Sequence, residues 1–518
     1  MSAHHPAAAV RTLAAAEDLD PALIREVASG RPVRIGPELL NRTQQRCAAA
    51  REVLRGGAPV YGVNTGMGAL AGIRLTEPQQ LSHQRNLLLA RASGGPPWLD
   101  TGDTRALIAV RLRTFLSGDA GVSGELCQRL VDFLDAGIVP AVPRTGAGSA
   151  GEIIPLAHAF GPLAGIGRVL GPGAATGPGA GTGPGTGLGT GLGTETGPAA
   201  ETRAARDALR EHGLSEFTLG PKEGIALLAG VPGATALSVR RHAEAMALAS
   251  RMEAAAALSI TAAGAPRDPY LAACARGDEI LGAVLGRLRQ AIGDVPERSA
   301  MQAPISFRVA GLVLTHLLRA ADGLASAISR ALTGVTDSPA FLDGRFVGTA
   351  GFHGLDLAAH CDQLTAALTH ACEVSAARIH RLLDPRVTGL PAQLAATPGP
   401  DTGLVTVHKR AAGETHAMRR LATPATTGLI ETSGGQEDVQ SFAWEAAEVL
   451  REALRHAQAV TACELLIAYQ ATILADRPAP PGCRGVLDWL AAIVDPIVAD
   501  RPFGEDIERL RRAAGPPG

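Results

Sequence analysis

Aromatic side chains are scarce in this chain of 518 residues: Phe, Trp and Tyr together make up 3%, and the three tyrosines stand at 61, 270 and 469. Base stacking needs aromatic platforms, so this poverty argues against a nucleic-acid reader. An excess of one charge is also missing. The formal net charge of -2 supplies no basic field for nucleic acid or an anionic membrane. The seven cysteines (47, 127, 274, 361, 372, 463 and 483) are odd in number and scattered, without a CxxC pair or a metal-ligand cluster. They read as buried thiols in a reducing compartment, not as a disulfide framework. Met1 to Pro21 carries Glu17, Asp18 and Asp20 and lacks a long apolar stretch, unlike a secretory signal. Apolar runs meet charge, Gly or Pro before reaching membrane-spanning length. The expectation is a soluble cytoplasmic protein that binds a small molecule, with no metal, nucleic-acid or membrane partner.

What the chain does have falls into blocks. Residues 1–170 mix shorter helices with glycine-rich turns and are expected to form an N-terminal lobe. Residues 171–200 are a Gly/Pro/Thr tract with one charge, too poor in apolar surface to fold, and read as a disordered insertion. Residues 201–480 carry long Ala/Leu-rich segments (239–259, 307–332, 355–383 and 439–469) with apolar residues at three- and four-residue spacing, the pattern of a helical bundle. Residues 481–518 are expected as a C-terminal tail. The fold class is therefore mainly α.

Seven segments carry a resemblance. Residues Gly148-Ser149-Ala150-Gly151-Glu152-Ile153-Ile154-Pro155-Leu156-Ala157-His158 resemble the segment of the histidine and aromatic amino-acid ammonia-lyases that reads Gly-Ala-Ser-Gly-Asp-Leu-Ala-Pro-Leu-Ala-His. In that family Ala-Ser-Gly cyclises and dehydrates to the electrophile methylidene-imidazolone (MIO). Tyr61-Gly62-Val63-Asn64-Thr65-Gly66-Met67-Gly68 resembles the family's tyrosine loop. The stretch from His83 to Gly94, Lys222-Glu223-Gly224, Asp268-Pro269-Tyr270, Phe352-His353-Gly354 and Gln436-Glu437-Asp438 follow in the family's order. The resemblance implies the ammonia-lyase fold, with a helical bundle core and a smaller mixed N-terminal lobe. It also implies a homotetramer whose pockets draw on three subunits.

The departures are concentrated at the chemistry. Gly148, Gly151 and Pro155 to His158 fix a register in which Ala150 stands where the dehydrating serine belongs, with serine one place early at Ser149. Alanine has no hydroxyl to lose, so this degenerate segment (Ser149, Ala150, Gly151) is not expected to yield MIO, and no other cofactor is expected. The family's Ser-His pair is Ala90-Arg91 here, its MIO-contacting asparagine is Ala229, its carboxylate-binding arginine is Ala273, and the asparagine before Phe-His-Gly is Gly351. Scaffold glycines and Tyr61 stand, which points to a repurposed pocket.

The expected roles follow. Tyr61 is the base, which requires a site that tunes its phenol. Glu437 or Tyr270 is the acid or polariser. Arg91 is either an anchor for an anionic group or one half of a surface ion pair. Asn86, Gln436 and His353 complete a substrate-binding set, with His353 alternatively a core histidine. Lys222-Glu223 is expected as an ion pair at a helix start. The expected function is MIO-independent acid–base chemistry (dehydration, elimination, isomerisation or cyclisation) on an activated metabolite in bacterial specialised metabolism. Two alternatives stand beside it: an ammonia-lyase with MIO formed one residue early from 148–150, and a non-catalytic binding or assembly subunit.

Overall fold

The computed structural model of the protein describes residues 9–148, 150–171, 201–294, 297, 302–476 and 480–515. Ser149 and, apart from Gly171, the Gly/Pro/Thr tract lie outside these residues.

The fold is mainly helical. Four long helices dominate it: Pro232–Ala263, Ala310–Thr333, Leu355–Leu382 and Ala443–Leu474. Their periodicity is visible in the sequence; their ends obey local chemistry that it hides. The first starts earlier than its apolar pattern, at a proline whose fixed φ and missing N–H suit a first turn, and stops before Gly264 at φ +61. The last begins at Ala443 instead of 439, because Phe442 sits at φ +53, outside helical space. Ala443–Leu474 is long and apolar enough to cross a membrane, against the sequence expectation, yet most of its apolar stretch is buried inside the protein. It carries Glu464, 1% exposed, which accepts hydrogen bonds from Arg378, Ser259 and Ser375. Such a charge belongs to a packed interior.

Strands are short and paired. Arg11–Leu13 runs parallel to Val33–Ile35, Arg168–Leu170 antiparallel to Thr202–Ala204, and Ala340–Leu342 antiparallel to Arg345–Val347. The last pair is a hairpin closed by Asp343 and Gly344, both at positive φ, as a two-residue Asp-Gly turn requires.

Two compact units are built from non-contiguous stretches, which differs from the expected sequence-ordered blocks. One comprises Met1–Arg240, Ala325–Ala359 and Ala425–Glu448; the other comprises Arg241–Leu324, His360–Pro424 and Val449–Gly518. Within the second, residues beyond 480 are more than a tail: helix Phe503–Arg512 buries Phe503, Ile507 and Leu510.

Helix Thr101–Leu116 is the axis of the first unit, buried everywhere except Thr101, Gly102 and Thr114. Three buried arginines on it donate to carbonyls at the ends of other helices. Arg105 reaches Val27 and Leu134, Arg113 reaches Leu332, Ala16 and Leu19, and Arg111 reaches Ala229. These bonds tie the ends of neighbouring helices to the buried one, while Nε and one terminal nitrogen of Arg111 have no hydrogen-bond partner among the described residues.

Candidate functional site

The first unit brings Tyr61, Arg91, Ala150 and Glu437 into one neighbourhood. The tyrosine loop is held from within. Asn64 accepts from the Val60 amide (2.7 Å) and donates to the Ala58 carbonyl (2.8 Å), while Gly62 turns at φ +67. A side chain on Gly62 would strike Ile225 at 2.3 Å. From outside, buried Gln84 pins the loop by donating to the Gly62 carbonyl (3.0 Å), and accepts from the Ile225 amide (3.1 Å). Tyr61 is left 39% exposed, its phenol oxygen accepting from the Gly68 amide at 2.8 Å.

Arg91 ends helix Glu77–Arg91. Its guanidinium is half-buried, touches the Met67 sulfur at 3.8 Å, and has no ion-pair partner among the described residues. Burial pulls it below the usual arginine range, while the charges of Tyr61 and Glu437 act in the opposite sense. The ion-pair alternative is not seen among the described residues, where the contact of Arg91 is with Met67 of the tyrosine loop.

Glu437 stands on the loop that precedes Ala443–Leu474, where Thr432 and Glu437 form an isolated bridge. It is half-buried. Its Oε2 accepts from the Thr432 hydroxyl (2.9 Å) and from the Ala150 amide (3.4 Å). The carboxylate is thus turned toward the degenerate segment. On the other side of that segment, the ring of Phe352 lies 4.0 Å from where a Gly151 Cβ would be. His353, next to it, is half-buried with an Nε2 that is buried and unpartnered, and its carbonyl accepts from Ser441.

Two buried carboxyls fix the segment at its ends. Glu445 accepts from the Ala147 and Gly148 amides, and burial pushes it above the usual carboxylate range. Glu152 is 1% exposed and accepts from Gly233 (2.7 Å) and Ala234 (2.5 Å) at the start of helix Pro232–Ala263. Burial raises its pKa to about 7, against the pull of those two amides and of Arg111.

Other expected residues have different surroundings. Asn86 is exposed, five residues before Arg91 and so about 140° around the helix from it. Gln436 is exposed as well. Tyr270 belongs to the second unit and is 1% exposed; its hydroxyl donates to the Phe307 carbonyl, and burial raises its pKa. A proton committed in that way is not free for acid catalysis. The expected Lys222–Glu223 pair does not form. Lys222 instead bonds Asp337 at 2.6 Å with both side chains buried, and Glu223 accepts from the Ser123 hydroxyl at 2.6 Å.

At the substituted positions the backbone has adapted. Ala229 uses its carbonyl to hold Arg111. Gly351 has no room for a side chain: a Cβ there would lie 2.0 Å from the Val335 carbonyl oxygen. Sequence reading missed His83, half-buried on the Arg91 helix, whose Nε2 is buried and unpartnered. The segment from His83 to Gly94 had drawn notice only for Asn86 and Arg91, and nothing in its spacing marks a histidine as unpaired.

Comparison with known proteins places the chain in a family. Residues 19–493 match the family described as aromatic amino acid lyase. The histidine ammonia-lyase of Symbiobacterium thermophilum is 29% identical over 501 residues, covering 95% of this chain and 94% of the relative. That of Streptomyces avermitilis is 32% identical over 476 residues, covering 86% and 85%. Among solved structures, ergothionase of Treponema denticola, an ergothioneine-degrading enzyme, superposes with a TM-score of 0.86 over 97% of this chain and 98% of its own, at 23% identity. The chain belongs to the aromatic amino acid lyase family.

Proposed function

We propose that this protein is a lyase-fold enzyme that works without MIO, by acid–base chemistry on a small metabolite that already carries an activating carbonyl, thioester or conjugated group. The observation that carries the reading is Tyr61. Its oxygen receives the Gly68 amide, and its loop, through the Met67 sulfur, touches an arginine that has no ion-pair partner among the described residues. The residues present do not fit MIO. The position in the serine's register bears a methyl, Ala229 offers no amide, and a side chain at Gly351 has no space.

Arg91 anchors an anionic group of the substrate. Tyr61 is the base that takes the acidic C–H proton; the electrons form the new double bond and expel the leaving group. Glu437, as the acid, supplies that group's proton; Tyr270 spends its own on Phe307. Proton transfer of this kind contributes about 10²–10⁴-fold. His353 and Gln436 border the same loops as substrate contacts, and the assembly is a homotetramer of cytoplasmic enzymes in bacterial specialised metabolism.

A second reading draws on the relatives, which are named histidine ammonia-lyases. In it the cycle forms from 148–150, the Ala150 amide, already directed at Glu437, taking the attacking place. Intact mass separates the two. Loss of two water molecules supports the second reading and excludes the first. With unmodified mass, ammonia release from histidine, phenylalanine or tyrosine overturns acid–base repurposing. With activated substrates, Tyr61→Phe is expected to lower turnover by about 10²-fold or more; undiminished turnover removes Tyr61 as base.

A further inference from the structure

Glu437 and Thr432 face each other across a tight turn. Their backbones pair, Thr432 donating to the Glu437 carbonyl (2.9 Å) and Glu437 to the Thr432 carbonyl (3.3 Å). Ser433, Gly434 and Gly435 close the turn at φ +57, +62 and +86. Residues directly opposite in an antiparallel pair carry their side chains on one face, and here the Thr432 hydroxyl donates to Glu437 Oε2 at 2.9 Å. The turn lies against the tyrosine loop: a Cβ on Gly68, whose amide meets the Tyr61 oxygen, would stand 4.0 Å from the Ser433 Cβ.

A second bond fixes the direction of the first. Gln440 Nε2 donates to the Thr432 oxygen at 3.1 Å. A hydroxyl carries one hydrogen and an amide nitrogen only donates, so the Thr432 hydrogen is left for Glu437. Donors in series polarise one another, so the amide strengthens the bond that the hydroxyl makes. Gln440 is 3% exposed, and its Oε1 is buried without a partner, so Thr432 is the one polar contact of this side chain among the described residues. The Ala150 amide donates to the same Oε2 of Glu437 at 3.4 Å, and among the described residues no donor reaches Oε1.

We propose that Thr432, oriented by Gln440, is a positioning residue that decides which oxygen of Glu437 holds the transferable proton. In a protonated carboxyl one oxygen accepts as a carbonyl and the other carries the hydrogen. Two donors on Oε2 make it the accepting oxygen, which puts the proton on Oε1. In the transfer the O–H bond at Oε1 breaks, its electron pair stays on the carboxylate, and the proton goes to the leaving group. The negative charge left behind is shared with Oε2, where the Thr432 hydroxyl and the Ala150 amide stabilise it. The catalytic meaning rests on the acid role of Glu437 given above, while the placing of the proton rests on the hydrogen bonds alone.

The test is infrared spectroscopy of the full-length protein at acid and neutral pH, with Glu437→Gln as the reference that isolates the C=O stretch of protonated Glu437. Thr432→Val puts a methyl where the hydroxyl stood and keeps water from that side of Oε2, so the band should move to higher frequency. Thr432→Ser should restore the wild-type position. Gln440→Leu, which also removes the unpartnered oxygen, should give a smaller shift in the same direction, and it carries the test should Thr432→Val not fold. An unmoved band in either variant overturns the proposal. So does a fall in frequency in Gln440→Leu, which would show that the hydroxyl had been donating to Gln440 and was released to Glu437. With activated substrates, Thr432→Val should lower kcat about tenfold, the loss of one hydrogen bond to a charged group, with KM unchanged. Undiminished turnover in Glu437→Gln, with the band shift intact in Thr432→Val, would remove Glu437 as the acid and leave the placing of the proton standing, so the two failures are told apart.

Discussion

Glu152 sets a pH dependence on the fold itself. Its carboxyl is buried at the start of helix Pro232–Ala263 and rises from an ordinary 4.5 to about 7, chiefly through burial. In the unfolded chain it ionises near 4.5, so between these values folding requires it to hold a proton. A carboxyl raised in the fold contributes stability that is fully present below about pH 4.5 and is lost as pH rises through about 7. The whole shift is worth about 3 kcal/mol at 1.36 kcal/mol per pKa unit. Roughly 2 kcal/mol of it falls between pH 5 and pH 8. Glu152→Gln cannot titrate. It keeps one acceptor for the Gly233 and Ala234 amides and loses the other, a pH-independent cost of about 1–3 kcal/mol. Urea unfolding of both proteins across this range should therefore show the wild type's advantage shrinking by roughly 2 kcal/mol toward pH 8. Parallel profiles would mean that Glu152 is ionised throughout, that the two amides and Arg111 outweigh burial, and that the reasoning is wrong.

Other expectations concern the same unit. Lys222→Met strands Asp337, 0% exposed, without its partner, and should cost about 3–5 kcal/mol in denaturant unfolding; a cost under 1 kcal/mol would show the pair to be dispensable. Gly351→Ala drives a Cβ toward the Val335 carbonyl oxygen and should destabilise by about 1–3 kcal/mol as overpacking does, measured as a lower Tm. Replacing 172–200 by a short turn should leave the fold intact, because Leu170 and Thr202 are already paired. Loop-closure entropy limits the gain to about 2 kcal/mol, and a fall in Tm would give the tract a structural part.

Much of the architecture was legible. Three- and four-residue periodicity announced the four long helices, and the motifs singled out Tyr61, Glu437 and the segment with Ala150, while the place of Arg91, in the pocket or in a surface ion pair, was open in the sequence. What escaped was set by tertiary context. Lys222 and Glu223 adjoin in sequence, but neighbours at a helix start point apart, and each found a distant partner. Tyr270 sits on a recognisable motif, yet its hydroxyl is directed by the Phe307 carbonyl, far along the chain. Arg111, mid-helix, looks like a solvent-facing residue until the helix proves to be buried all round. Asp343-Gly344 is the one miss with a plain local signal, a two-residue hairpin turn.

The crowding at Gly351 has a consequence for redesign. The Val335 carbonyl oxygen occupies the space that a side chain at 351 would fill, so an asparagine placed there needs the backbone at Val335 and Thr336 to move. Engineering toward the family pattern at this position therefore begins at Val335, with residue 351 changed second.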